Sequence, residues 1–313
     1  MDWLNPYHLQ VASFVLINVI LGASIYVTLA TGQLSLGNAG FMSIGAYAAA
    51  LLSTKFALPI PVGIAAGGFL AGAAGVLVGI PSLRLSGVYL AIATLGFGEV
   101  VRAVAINWES LTGGAVGIAG IPQMGRVLLA AFRELGASPD SVGLRPNQFV
   151  SLSVFLALLL AAATTVAFFL RLGRTRVGRA FTAIRLDEQA AEAAGIPVTY
   201  YKVLAFSQGA MVSGFAGALF AHSTSFISPS DFTYHRAVEI LVFAVFGGSG
   251  HILGAAFGAA FLTVLPEALR IVSDYRYIVY GVLVVTMMIF RPQGVVDPPL
   301  LRRLVRGRVR EAA

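Results

Sequence analysis

The sequence predicts an all-α, polytopic helical membrane protein. Hydrophobic residues make up 58% of the 313 residues and charged residues only 11%, whereas a soluble domain averages about 25% charged residues. The apolar residues form long unbroken runs, which excludes the short alternating strands of a transmembrane barrel. Thirty-five glycines are typical of membrane helices that pack closely through small residues. We expect a single transmembrane domain over residues 1–313.

Nine stretches are predicted to span the membrane, because a helix needs about 20 apolar residues to cross the hydrocarbon core. The segment 235–249 is short and is followed by GGSG, which makes it a candidate for a broken or re-entrant helix. The segment 35–54 is small and polar, which favours burial among other helices. The nine stretches are 11–31, 35–54, 60–80, 88–107, 149–171, 203–222, 235–249, 252–271 and 276–291.

The distribution of Lys and Arg predicts the orientation, because basic residues are enriched in cytoplasmic loops. The stretch 171–202 carries six of the 21 basic residues, and 291–310 carries six more. Both are predicted to be cytoplasmic, as a loop at 172–202 and a basic tail at 292–313. Counting spans back then places the N-terminus outside. The longest external loop becomes 108–148, which is either a lid or docking site for an external protein, or a plain connector.

The cytoplasmic loop at 172–202 contains a short helix with clear end signals. Asp187 can cap the first free N–H groups, Glu188 and Glu192 flank an Ala-rich run, and Gly195 followed by Pro197 ends the helix. Such a helix, held on a membrane protein by basic flanks, suggests a docking surface for a soluble partner. An ordinary positively charged loop explains the same residues.

No catalytic constellation is present in the sequence. It lacks a phosphate-binding G-x-x-x-x-G-K-[ST] loop, H-E-x-x-H and G-x-S-x-G. Cysteine is absent and the four histidines are scattered, so we expect no catalytic residue, no metal and no cofactor. The basic residues adjoin membrane segments, so lipid rather than nucleic acid is the expected surrounding.

Polar residues inside the predicted spans are more informative. Glu99 and Arg102 lie three residues apart, on one face of a helix where they can pair. Glu239 is a further ionisable residue at membrane depth. Because such groups are costly in lipid, they usually face the protein interior or a wet pathway. Both a pathway role and an internal ion pair remain open for them.

Two glycine-rich runs, 32–50 and 247–260, place small residues at three- and four-residue spacing. Close helix packing is the default interpretation. A more specific interpretation is a substrate path where helices break, since unwound backbone at membrane depth is tolerated only when it is buried or lines a cavity. The first run contains Ser35, Asn38 and Tyr47, which are polar candidates for lining such a path.

Five motifs, in order, give the chain a family resemblance. They are GQLSLGNAGFMSIGAYAAALL, RLSGVYLAIATLGFGEVVR, N-x4-TGG-x-x-GI (Asn107 to Ile118), GRAFTAIRLDEQAAEAAGI and MMIFRPQGVV. From about residue 11 to 297 the chain resembles the branched-chain amino acid ABC transporter permeases, and is most similar to their M-type subunit.

The resemblance implies a non-enzymatic transport subunit of the bacterial cytoplasmic membrane. A second homologous permease would complete the pathway, two cytoplasmic ATPase subunits would drive it, and an external solute-binding protein would deliver the amino acid. The segment 178–197 would hold the coupling helix. Many ABC importers have E-A-A-x3-G here, whereas Gly195 in this chain follows Glu192-Ala193-Ala194 directly. The coupling candidates are Arg185, Asp187, Glu188, Ala191, Glu192, Ala194 and Gly195.

Two alternatives remain at this stage. Urea and short-chain amide permeases have much the same motifs, which leaves the substrate open. An ion-coupled carrier with Glu99 as its proton site belongs to a different class, and it would work without ATPase partners.

Overall fold

The computed structural model of the chain describes residues 5–82, 84–134, 145–269, 276–291 and 294–296. Within these ranges the fold is a bundle of α-helices with one short antiparallel ladder, which confirms the all-α prediction in outline. Most of the predicted tail, and the centre of the predicted external loop, lie outside the described residues.

The helices match the predicted spans to within a few residues at most ends. They are α1 (Pro6–Leu29), α2 (Asn38–Thr54), α3 (Ile60–Ser82), α4 (Gly87–Asn107), α5 (Glu109–Thr112), α6 (Met124–Glu134), α7 (Pro146–Leu172), α8 (Arg176–Leu186), α9 (Glu188–Ala193), α10 (Val198–Thr224), α11 (Tyr234–Gly247), α12 (Ile252–Ala268) and α13 (Arg276–Phe290). Single 3-10 turns cover Gly114–Val116 and Pro229–Phe232, and the strands are β1 (Ile118–Ala119) and β2 (Phe226–Ile227).

Five of the described helices, α1, α3, α4, α7 and α10, are long and apolar enough to cross a membrane. Helices α11 and α12 together pass the same criteria as one broken span or re-entrant loop, with a bend of 119° between them. Helix α2 has 17 residues and is about 25 Å long, shorter than the hydrocarbon core of about 30 Å. The structure thus shows five or six span-like units, and the nine-span count and the orientation stay predictions.

The helices form two series with the same order, α1–α4 and α10–α13. Each series begins with a long buried helix, continues through a non-helical segment into a short helix, and ends with two further helices. Helices α1 and α10 cross antiparallel, since Phe14 lies beside Phe220 and Ser24 bonds to Ser213. Helix α3 packs against α10 while α12 packs against α1. This reciprocal packing is typical of an inverted repeat.

Glycines let these helices approach closely. A Cβ on Gly45 of α2 would collide with the backbone of Gly214 on α10, and one on Gly247 would collide with Gly254 across the α11–α12 bend. The close-packing interpretation of both glycine-rich runs is therefore confirmed.

The two ends of the bundle carry different short elements. The α8–α9 end comprises α8, α9 and the C-terminal turns of α1 and α7. The opposite α6 end comprises α5, α6 and the N-terminal turns of α1 and α7. The segment after α4 is held there by pairing of Ile118 with Ile227 and by a hydrogen bond between the ring of His222 and the carbonyl of Pro122 (2.9 Å).

Candidate functional site

A sealed polar cluster lies where α1 and α10 cross and α2 begins. The amide nitrogen of Asn38 donates to Ser24 Oγ (2.8 Å) and Ser213 Oγ (3.1 Å), and the Ser213 hydroxyl donates to Ser24 (2.9 Å). All three residues are buried. Because the hydrogen-bonding groups satisfy one another, the cluster joins three helices. The structure therefore gives Asn38 a structural setting, with only 3% of its surface exposed.

The other two candidates from this region are also buried. The Ser35 hydroxyl accepts the backbone N–H of Gly37 (3.2 Å) and so shapes the turn that leads into α2. Tyr47 packs beside Phe232, and its hydroxyl has no hydrogen-bond partner among the described residues. The hydroxyl of Ser43, one turn earlier on α2, is likewise without a partner there. Buried water commonly satisfies such groups.

The ion pair predicted from sequence spacing is formed on α4. Arg102 Nε lies 2.8 Å from Glu99 Oε2, and each side chain is about a third exposed (34% and 35%). Glu99 is the thirteenth of the 21 residues of α4, so the pair lies near the middle of a span. Lipid does not stabilise exposed charge at this depth. The face of α4 that carries the pair therefore requires a polar or protein neighbour.

Glu239 belongs to a second pair with the same spacing. Arg236 Nη1 lies 2.6 Å from Glu239 Oε2, and Arg236 also donates to Asn18 in the middle of α1. Asn18 in turn donates to Thr263 on α12 (2.9 Å). Glu239 is 40% exposed, so its carboxylate reaches a surface while Arg236 is tied into the bundle. The sequence reasoning missed Arg236, although the three-residue spacing that revealed Arg102 was also present here.

The surface segment at the α8–α9 end consists of two capped helices. Thr175 caps the start of α8. The Asp187 side chain accepts the N–H of Ala190 (3.0 Å) at the start of α9, as predicted. Gly195 has φ +81°, the left-handed conformation expected at the helix end. Lys202 pairs with Glu188 (2.6 Å) and fastens α9 to α10.

The outward surface of this segment differs from the sequence expectation at one position. Ala191 is only 4% exposed and packs with Ile184 and Val198. It therefore fixes α9 to its own chain and is not placed to touch a partner. The exposed candidates are Arg185, Asp187, Glu188, Glu192, Ala194 and Gly195, together with Leu186, which is 81% exposed.

Arg185 connects the surface segment to the membrane helices. Its guanidinium donates to the Ser249 carbonyl (3.0 Å) and to the Ser249 hydroxyl (3.3 Å). Ser249 lies in the bend between α11 and α12. The same arginine backbone adjoins Gly32, just after α1. The sequence could not reveal this contact, because its partners lie 64 residues apart in different motifs.

The arrangement defines a class of protein. Five helices of membrane-spanning length are bundled together, an ion pair lies near the middle of one of them, and a surface segment is hydrogen-bonded to the break between α11 and α12. Among the described residues no group of three metal-ligating side chains comes together. These features are those of a membrane transport subunit.

Comparison with known proteins gives the family. Residues 7–289 match the family model described as the branched-chain amino acid transport system / permease component, and the chain belongs to this family. It is 38% identical to the high-affinity branched-chain amino acid transport system permease protein LivM of Salmonella typhimurium and 39% identical to that of Escherichia coli K12. Each alignment covers 91% of this chain and 69% of the relative.

A more distant relative is the autoinducer 2 import system permease protein LsrC of Enterobacter sp. strain 638, which is 28% identical over 85% of this chain and 74% of its own length. No solved structure matches the chain. Since the relatives are transport permeases, the chain is a transport component and not an enzyme.

Proposed function

We propose that this chain is a permease subunit of an ATP-driven ABC importer for branched-chain or other apolar amino acids. Its family and its LivM relatives support the transport system and the substrate class. We place it in the bacterial cytoplasmic membrane, with the N-terminus outside and the C-terminus in the cytoplasm. The α6 end then faces the external solute-binding protein.

The pathway is completed by a second homologous permease. The exposed pair of Glu99 and Arg102 at mid-depth of α4 supports this assignment, because lipid cannot cover it without a large cost. A second permease, with a wet pathway between the two subunits, provides both protein contact and water.

Two cytoplasmic ATPase subunits drive the cycle through the exposed surface of α8 and α9. The single observation that supports this coupling role is the pair of hydrogen bonds from Arg185 to Ser249. When the ATPases close and displace α8–α9, Arg185 pulls on the α11–α12 bend. Helices α11 and α12 contact α1, so the displacement reaches the centre of the bundle and changes which side of the pathway is open.

The proposal is tested by assembly and uptake. The full chain is purified with a mild detergent from its native membrane, its co-purifying proteins are identified, and the complex is reconstituted in liposomes. We expect a second permease and an ATPase in the complex, and ATP-dependent uptake of radiolabelled leucine with the binding protein present. Leucine uptake driven by a proton gradient without ATP would contradict the proposal, as would uptake of urea but not of leucine.

A further inference from the structure

A cavity of about 240 Å³ lies at the α8–α9 end of the bundle. It is bounded by the C-terminal turns of α1 and α7 and by the N-terminal turns of α8 and α12. One part of its lining is apolar and the other part is polar. The apolar part includes Val27, Phe169 and Ile252, and the polar part includes Tyr26, Arg174 and His251.

The polar part of the cavity belongs to a strongly basic turn. Arg171, Arg174, Arg176 and Arg179 are all exposed at the junction of α7 and α8. The structure's described residues contain three ion pairs, and none of these four arginines takes part in them. Arg179 donates to the backbone carbonyl of Arg174 (3.1 Å), which still leaves both positive charges uncompensated.

The backbone of this turn is closely packed, which places the arginines near one another in the chain fold. A Cβ on Gly178 would collide with the backbone of Leu172 and Gly173, because the first turn of α8 folds directly onto the end of α7. The site therefore combines a cluster of arginines with an apolar wall.

Helix α7, which ends beside this cavity, is poorly covered by the rest of the chain. Only 22% of its most apolar stretch is buried, the lowest share among the five membrane-length helices. Acyl chains that cover this exposed helix reach its end at Leu172, so their headgroups lie at the level of the basic turn. A lipid phosphate and the arginines are thus brought to the same depth.

We propose that this cavity binds an anionic glycerophospholipid, with the phosphate at Arg174 and the acyl chains along α7. The apolar wall favours a lipid over a free anion. The four uncompensated arginines favour a headgroup with net negative charge over a zwitterionic one. The bound lipid anchors the start of α8 to the membrane surface. This inference does not depend on which solute the chain transports.

Native mass spectrometry of the purified full-length chain tests the proposal, with phosphatidylglycerol and phosphatidylcholine added at equal concentrations. We expect the parent chain to retain phosphatidylglycerol in preference. Arg174→Gln should weaken that retention about fivefold, the loss expected for one basic contact to an anionic lipid, whereas Arg174→Lys should keep most of it. The matched control is Arg126→Gln, an exposed arginine of α6 at the opposite end, which should retain lipid as the parent does. Arg179→Gln replaces Arg174→Gln if that variant does not fold.

Several outcomes would overturn the proposal. Equal retention of both lipids would show an ordinary lipid annulus. Retention of phosphatidylglycerol by Arg174→Gln and by Arg179→Gln at the level of the parent chain would show that the cavity is not the site. Displacement of the lipid by millimolar inorganic phosphate would show a free-anion site. Weaker ATPase capture by Arg174→Gln, with lipid retention unchanged, would show that the arginines serve partner docking.

Discussion

At the scale of single residues, the structure separates polar groups that hold the bundle together from those that reach its surface. Ser24, Asn38 and Ser213 satisfy one another in the interior. Glu99 and Arg102 pair on α4 with about a third of each side chain exposed. We expect the first group to act on stability alone, and we propose that the second acts on both stability and the pathway.

Glu99→Gln is predicted to lower the apparent melting temperature of the purified subunit, because it leaves Arg102 without its partner in a half-buried setting. Arg102→Gln should have a similar effect, each on the order of 1 kcal/mol. The double variant should recover part of the loss, since it leaves no uncompensated charge. Melting curves for the four proteins measure this coupling, and strictly additive losses would show that the pair does not interact.

The sequence predicted these residue-scale features unevenly. Spacing along one helix revealed the pairing of Glu99 with Arg102, since the partners are local. The contact of Asn38 with Ser213 spans 175 residues, and its geometry depends on how three helices cross. Local pattern carries no information on such crossings. The inward position of Ala191 was missed for the same reason. Sequence alone does not distinguish the alanines of this run, and only the packing of Ala191 against Ile184 shows which one is buried.

At the scale of elements, apolar runs were enough to locate nearly every long helix. They did not show that α2 is preceded by a non-helical segment, in which the N–H of Leu36 donates to the Thr94 hydroxyl (2.9 Å). They also gave no sign of the β1–β2 ladder, which is only two residues long on each strand. Backbone hydrogen bonds to distant elements decide both features, and hydropathy does not record them.

Gly45→Ala is predicted to destabilise the bundle by about 1–3 kcal/mol, the usual effect of overpacking. Its new methyl group would collide with the backbone of Gly214, which cannot move independently of α10. Gly96→Ala is the matched control, because nothing lies within 4 Å of a Cβ at this helical position. Thermal unfolding of both variants in detergent measures the difference. Equal melting temperatures for the two would refute the close α2–α10 contact.

Gly195→Val is predicted to disrupt coupling through backbone strain alone. The position has φ +81° and open space around a Cβ, so a side chain would meet no neighbour. A β-branched residue in this conformation costs roughly 1–3 kcal/mol, whereas Asn tolerates it. Leucine uptake by the reconstituted complex should therefore fall for Gly195→Val and persist for Gly195→Asn. The same loss in both variants would point to a need for glycine's small size.

At the scale of the whole molecule, two antiparallel helix series meet at α1 and α10, and the surface segment joins them at one end. The segment contacts the second series at Ser249 and adjoins the first at Gly32 through the same residue, Arg185. We therefore expect a displacement of α8–α9 to act on both series together.

The proposed topology can be measured directly, because the chain contains no cysteine. Single cysteines at Val116 and Leu186, which are 79% and 81% exposed, lie at opposite ends of the bundle. A membrane-impermeant maleimide should label Val116→Cys in intact cells and Leu186→Cys only after the membrane is opened. Labelling of both cysteines from one side would contradict the topology.

The coupling role of Arg185 is tested most directly by the ratio of leucine imported to ATP hydrolysed in the reconstituted complex. Arg185→Gln removes both bonds to Ser249 and leaves the helices of the segment intact. The control is Arg84→Gln, which makes the same charge change at an exposed residue between α3 and α4 that takes no part in the ion pairs among the described residues. We predict that the Arg185→Gln complex still binds the ATPases and hydrolyses ATP, while leucine imported per ATP falls several-fold. An unchanged ratio, with both activities normal or both reduced in parallel, would contradict the claim that Arg185 transmits the ATPase motion to the membrane helices.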